Sequence, residues 1–261
     1  VLEGEVPKHL RKGDIINFLE QGGTSGIVKT SKSGFVKTEL EFLGFLSLNG
    51  RKANLKDFAL GIKDVKGKQR LIITIGTNME AGKTTATGYL TKALTEVGYR
   101  VAAAKATGIG NINDANTYKK HGAVRSYGII DAGCPSTANL SEDELLDVFE
   151  RLFSNLAEVS PDYILIEFAD GILQRETAML IGHEKIKRLE PRFILCCNDG
   201  PGAYGGMKIL EERYGVRPLV FTGIGAITEL GRKEIEGITG GKAFDSVTQY
   251  KEFGRHVERN F

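Results

Sequence analysis

Leu71-Ile72-Ile73-Thr74-Ile75-Gly76-Thr77-Asn78-Met79-Glu80-Ala81-Gly82-Lys83-Thr84-Thr85-Ala86-Thr87-Gly88-Tyr89-Leu90 is the stretch that decides the fold. Its opening run, Leu71 to Ile75, is apolar, rich in β-branched residues and too short for a helix, which is how a strand buried on both faces reads. The chain then turns between Gly76 and Gly82 and takes up helical spacing from Lys83. Strand, glycine-bounded turn, Gly-Lys-Thr and helix form the layout of a phosphate-binding loop (the Walker A arrangement). In such a loop backbone N–H groups and a helix N-terminus face the anion, Lys83 reaches the β/γ-phosphates and the Thr84 hydroxyl sits on Mg²⁺. Gly76, Thr77, Asn78, Glu80, Ala81, Gly82 and Thr85 complete the expected nucleotide cradle. Thr77 stands where the common spacing has a glycine.

Working outward, strands and helices alternate from Leu71 onward. Apolar positions Leu90, Leu94 and Val97 extend the helix to about Val97, and Gly98 closes it. Val101–Ala104 reads as the next strand and 105–114 as a Gly- and Asn-rich segment. Gly128–Asp131 reads as the end of a short strand, and Ser141 with Glu144 as the cap of a helix. Further strands are expected at Tyr163–Ile166, Arg192–Cys197 and Pro218–Thr222. Helices are expected around Arg175 and over Met207–Tyr214. This order predicts an α/β fold with a doubly wound, mostly parallel sheet whose ligand crevice lies at the strand carboxyl ends.

Residues 1–66 read differently. Short apolar runs (Asp14–Phe18, Gly26–Val28, Glu41–Leu48) alternate with turn signals at Gly22-Gly23, Ser33-Gly34 and Asn49-Gly50, predicting a small, mostly β domain of hairpins. A polar linker over 64–70 leads into the nucleotide-binding domain, 67–261.

Candidate chemistry gathers at the predicted crevice. Glu167 ends an apolar strand with Asp170 just beyond it. That is where a second Mg²⁺ anchor is needed, and Asp114 is a further candidate ligand. Lys105, at the next strand end, places positive charge against a transferring phosphoryl group. Thr107, Gly108, Asp131 and Arg175 are candidate substrate contacts, Arg175 as a bidentate clamp on a carboxylate or phosphate. Asn198, at a later strand end, offers an amide to a base edge. The four histidines form no metal-spaced pair, and no Ser/His/Asp or Cys/His constellation emerges.

Bulk properties set the remaining bounds. The 261 residues carry 35 basic and 33 acidic groups for a net charge of +2, against a general nucleic-acid surface. No apolar run is long enough for a membrane span, and nothing near Val1 resembles a signal peptide. Cys134, Cys196 and Cys197 form no metal-spaced set and read as free thiols, so a cytoplasmic protein is expected.

The loop Gly76–Thr84 resembles that of dethiobiotin synthetase and its relatives, Gly-Thr-Asp-Thr-x-x-Gly-Lys-Thr, including the Thr at the odd position. That group belongs to the signal-recognition/MinD/BioD class of P-loop proteins, beside the cobyrinic-acid amide-forming synthetases. Lys105-Ala106-Thr107-Gly108 resembles the family's Lys-Pro-x-x-x-Gly, Ile166–Gly171 its Val-Glu-Gly-Ala-Gly-Gly, and Asn198 its adenine-reading Asn. The Ala-Thr-Gly and Glu-x-x-Asp-Gly variants also resemble a group of P-loop domains linked to amino-acid N-acylation. Asn78 departs from the family's Asp, and stands where the MinD/ParA subgroup has a second lysine. The resemblance covers about residues 70–230. It implies an enzyme that uses Mg-ATP, with GTP left open, to activate a small-molecule carboxylate or amine by phosphoryl transfer, as a ligase or kinase. The alternatives are a nucleotide-hydrolysing switch or metallochaperone acting on a protein partner, an amino-acid N-acylation-related P-loop protein, and a non-catalytic nucleotide sensor. A homodimer or higher homo-oligomer is the expected assembly.

Overall fold

The computed structural model describes residues 2–19, 22–31, 36–65 and 67–261. The N-terminal part contains strands β1 (Leu2–Glu5), β2 (Ile15–Phe18), β3 (Ser25–Ser31) and β4 (Glu39–Glu41) in a separate antiparallel sheet of order β1-β3-β2-β4. A second, two-stranded ladder joins β5 (Ser47–Leu48) to β6 (Arg51–Lys52). Its turn is the predicted Asn49-Gly50, both residues at positive φ (52° and 77°), as a mirror-image hairpin turn requires. The Ser33-Gly34 turn lies outside the described residues. The apolar run expected over Glu41–Leu48 is not one strand: β4 stops at Glu41, and Gly44 (φ 153°) interrupts the residues between β4 and β5.

Beyond a short 3₁₀ turn at Leu55–Phe58, the chain enters β7 (Arg70–Gly76), α1 (Lys83–Glu96), β8 (Val101–Lys105), α2 (Ile112–Lys120) and β9 (Arg125–Tyr127). Then come α3 (Glu142–Ala157), β10 (Tyr163–Glu167), α4 (Arg175–Gly182), α5 (Glu184–Lys187) and β11 (Arg192–Cys196). The series closes with α6 (Gly200–Tyr214), β12 (Val220–Thr222), α7 (Glu229–Thr239) and α8 (Tyr250–Asn260). The six strands β12-β11-β7-β10-β8-β9 form one sheet, every pair parallel. This is a doubly wound α/β architecture, and the strand order places β7 centrally.

The period-2 alternation of β7 explains why both faces are covered. Leu71, Ile73 and Ile75 point into a core made with α3, α4 and α6, including Phe149, Leu180 and Leu210. Ile72 points the other way, toward Leu90 of α1, Tyr118 of α2 and Phe253 and Val257 of α8. All four β7 side chains are fully buried, worth about 1.5–3 kcal/mol each by the area removed from water.

Two boundaries differ from expectation. Gly128–Asp131 is a turn rather than strand, because the Asp131 carboxylate accepts the Gly128 N–H at 2.8 Å and closes it; β9 lies just before, at Arg125–Tyr127. The helix expected from Met207 starts at Gly200, with Asp199 as its N-cap accepting the Gly202 N–H at 2.6 Å and Pro201 in the first turn. Helices α2, α5, α7 and α8 are additional to those expected.

The segment after the 3₁₀ turn is strapped to α3. Arg151 donates to the Leu60 carbonyl at 2.6 Å, Asn155 to the Gly61 carbonyl at 2.7 Å, and the Lys63 N–H donates to the Ser154 hydroxyl at 3.1 Å.

Candidate functional site

The site begins with the turn between β7 and α1. Gly82 caps α1 at φ +94°, a left-handed conformation that glycine adopts without strain. No side chain caps α1, and no acid lies in its first turn, so its first N–H groups are left facing the cleft. An uncapped helix N-terminus of this kind is an anion site. The Thr77 N–H donates to the Cys196 carbonyl at 2.9 Å, which pins the loop to β11. Gly171 lies so close beneath the loop that a Cβ there would meet the Thr77 carbonyl oxygen at 2.8 Å.

Lys83 is buried, and its ammonium curls back to donate to the carbonyls of Asn78 (2.7 Å) and Met79 (3.2 Å). Burial pulls its pKa below the ordinary lysine value, against the opposing pull of Glu167. Thr84 donates its hydroxyl to Glu167 Oε1 at 3.0 Å. Glu167 is itself almost wholly buried at the end of β10, and its Oε2 accepts the hydroxyl of Tyr118 from α2. A threonine hydroxyl and a carboxylate side by side are hard oxygen donors that fit Mg²⁺, and together they would hold it beside the phosphate loop.

Lys105 ends β8 and pairs with Asp114 at 2.7 Å. Burial lowers the Lys105 pKa, but Glu167 and Asp114 outweigh it and the net displacement is upward. The Asp170 backbone is left-handed at φ 65°, and burial raises its carboxyl pKa against the opposing effect of Lys83 and Lys105.

These residues border two neighbouring compartments. The first, of about 370 Å³, is bounded by Glu80, Lys83, Thr84, Thr85, Lys105 and Glu167. The second, of about 200 Å³, is bounded by Gly108, Ile109, Asn111 and Asp114, with Gly22 contributed by the N-terminal part. Met79, Lys105, Ala169 and Asp170 belong to both.

The remaining candidates fall elsewhere. Asp114 borders only the second compartment. Thr107 is fully buried, its hydroxyl donating to the Ala169 carbonyl at 3.4 Å, so it braces the β8–β10 crevice. Asp131 is spent on its turn and Arg175 on the Leu140 carbonyl and Glu176; neither lines the two compartments. Ala81 is buried behind the loop. Asn198 lies just past β11, its Oδ1 buried without a hydrogen-bond partner. Tyr118 escaped the sequence reading altogether. All three cysteines are free and buried, and burial pushes the Cys197 thiol up to about 12. No helix among the described residues is long and apolar enough to cross a membrane.

Neither a known protein family's sequence profile nor a curated protein matches the chain. Solved structures do match. A DUF1611 family protein from Anabaena variabilis aligns at TM-score 0.52 and 14% identity, over 78% of this chain and 63% of that one. The signal recognition particle receptor FtsY of Elizabethkingia anophelis aligns at TM-score 0.48 and 16% identity, over 69% and 58%. A ParA family ATPase from Chlorobium tepidum aligns at TM-score 0.43 and 12% identity, over 74% and 92%. The chain spans about half to three-fifths of the first structures it matches. At these identities the likeness shows the fold alone: an α/β fold shared with the DUF1611 family protein.

Proposed function

We propose that the chain is a Mg²⁺-dependent, nucleoside-triphosphate-using enzyme that transfers the γ-phosphoryl group to a small-molecule carboxylate or amine, in the manner of a ligase or kinase. The observation that supports this reading is the second compartment, which shares Lys105 and Asp170 with the phosphate cleft as lining residues. An acceptor seated there meets the γ-phosphate across that shared wall. Its oxygen or nitrogen lone pair forms the new bond to phosphorus while the bond to the leaving diphosphate oxygen breaks.

In this scheme the α1 N-terminus and Lys83 bind the phosphates, Lys83 exchanging its loop carbonyls for phosphate oxygens. Lys105 supplies charge against the transferring group. Mg²⁺, held by Thr84 and Glu167, would neutralise charge on the β- and γ-phosphates. ATP is the nucleotide tested first, with GTP left open; Asn198, whose Oδ1 has no partner among the described residues, is the candidate base contact.

A second reading, a nucleotide-driven switch acting on a protein partner, draws support from the N-terminal part. There Leu43, Phe45 and Leu46 are exposed. Nucleotide-dependent dimerisation with slow, acceptor-independent hydrolysis would favour it.

Calorimetry with ATP on the wild type and Lys83→Ala tests the shared foundation: binding should vanish in the variant, and unchanged affinity would sink both readings. ADP formation that rises on adding small carboxylates or amines separates the enzyme from the switch.

A further inference from the structure

We infer that Tyr118 is a positioning residue for the nucleotide site, holding Glu167 in the orientation that presents it beside Thr84. This rests on the Mg²⁺-nucleotide reading above. Tyr118 lies on α2, an element with no part in the phosphate loop, and is fully buried. Its hydroxyl donates to Glu167 Oε2, while Glu167 Oε1 accepts from Thr84 at 3.0 Å. Both carboxylate oxygens are therefore committed, one to a rigid core phenol and one to the phosphate loop. A carboxylate on a flexible side chain cannot rotate away without stranding a buried hydroxyl, so the ring fixes which oxygen faces Thr84.

The placement of α2 makes this more than a core tyrosine finding a partner. Lys105 and Glu167 are register partners on neighbouring strands. One helical turn separates Asp114, which ties to Lys105, from Tyr118, which ties to Glu167. A single face of α2 therefore braces both charged residues of the cleft. Its N-cap Asn111, with Asp114, borders the second compartment. If the tyrosine served packing alone, phenylalanine would replace it without consequence for the metal. Removing an outer partner of a metal-ligating group typically costs about 10–100-fold in metal affinity.

The test is the Mg²⁺ concentration giving the half-maximal change in ATP affinity of the full chain by calorimetry, with ATP affinity measured separately in EDTA. In Tyr118→Phe the Mg²⁺ midpoint should rise about tenfold or more, while metal-free ATP affinity stays within about twofold of wild type. A midpoint within about twofold of wild type overturns the inference, as does an ATP affinity in EDTA that falls by the same factor as the midpoint moves. Should Tyr118→Phe fail to fold, 3,5-difluorotyrosine at position 118 keeps the ring in place and alters the hydroxyl's donor strength. It should move the midpoint, and an unmoved midpoint counts against the role. A wild type whose ATP affinity does not respond to Mg²⁺ removes the Mg²⁺-nucleotide reading itself. A wild type that responds to Mg²⁺, beside a variant with the same midpoint, removes only the role of Tyr118.

Discussion

Glu167 and Lys105 stand side by side at the carboxyl ends of adjacent parallel strands, in direct register across the β10–β8 ladder. On its other side Glu167 pairs with Thr74 of β7, two residues before the phosphate loop begins. The sheet therefore delivers a carboxylate, an ammonium and an anion-binding turn to one crevice. Lys105→Ala should expose how much the pairing matters. Asp114 would be left without its cation where the two side chains are only 16% and 14% exposed. A loss of about 2 kcal/mol in urea unfolding is expected. Because the Lys105 pKa is raised from 10.5, its charge and the associated stability persist up to that value and fade only above it. The destabilisation should therefore be the same at pH 6 and pH 9.

Glu167→Gln separates metal binding from phosphate binding. The amide preserves the shape of the side chain and can still accept from Thr84, but removes the negative charge. ATP affinity in EDTA should be unchanged, because α1 and Lys83 remain. Mg²⁺-dependent ADP formation should fall by about 10²–10³-fold, as the loss of one electrostatic element at a reacting centre typically does. ADP formation at the wild-type rate would remove Glu167 from the chemistry.

Asp170 costs the fold stability at neutral pH. Burial raises its carboxyl pKa from 3.8 despite Lys83 and Lys105, so the native state holds the proton more tightly than the unfolded chain does. Stability from this group is present below pH 3.8 and is lost as pH rises through the higher native value. Asp170→Asn removes the charge, and Asn tolerates the left-handed φ of 65°. The variant should melt higher than wild type at pH 7 and approach it near pH 4. A melting temperature difference that does not narrow on acidification would contradict this.

How much of this could be read from the chain depends on the range of the interactions involved. Leu71–Ile75 and the Gly82-Lys83-Thr84 turn were legible because strand, turn and helix signals are local and consecutive. The start of α6 was not: Gly200, Pro201 and Gly202 read as loop residues, although Asp199 as N-cap with Pro201 in the first turn is also a helix-opening signal. Helix α2 is polar along most of its length, and Tyr118 is its one buried residue, so no apolar stripe announces it. The partner of Tyr118 lies 49 residues further on, a pairing that only the strand order reveals. Asp131 and Arg175 had the residue types of site groups, but local turn and carbonyl partners claim them.

The strap along α3 gives a prediction independent of nucleotide. Asn155 is buried and donates to both the Gly61 carbonyl (2.7 Å) and the Arg151 carbonyl (2.8 Å), joining the segment before β7 to the helix. Arg151 supplies a second tie to Leu60, but through a part-buried side chain shared with Asp147. Asn155→Ala would leave the Gly61 carbonyl without its donor and vacate buried volume, costing about 1–3 kcal/mol. The loss should be local, since the sheet and the phosphate loop do not depend on the strap. Limited proteolysis should therefore cut the variant faster around residues 60–65, while ATP affinity by calorimetry stays at the wild-type value. Equal cleavage rates would show that Arg151 and the Lys63–Ser154 bond hold the segment without Asn155.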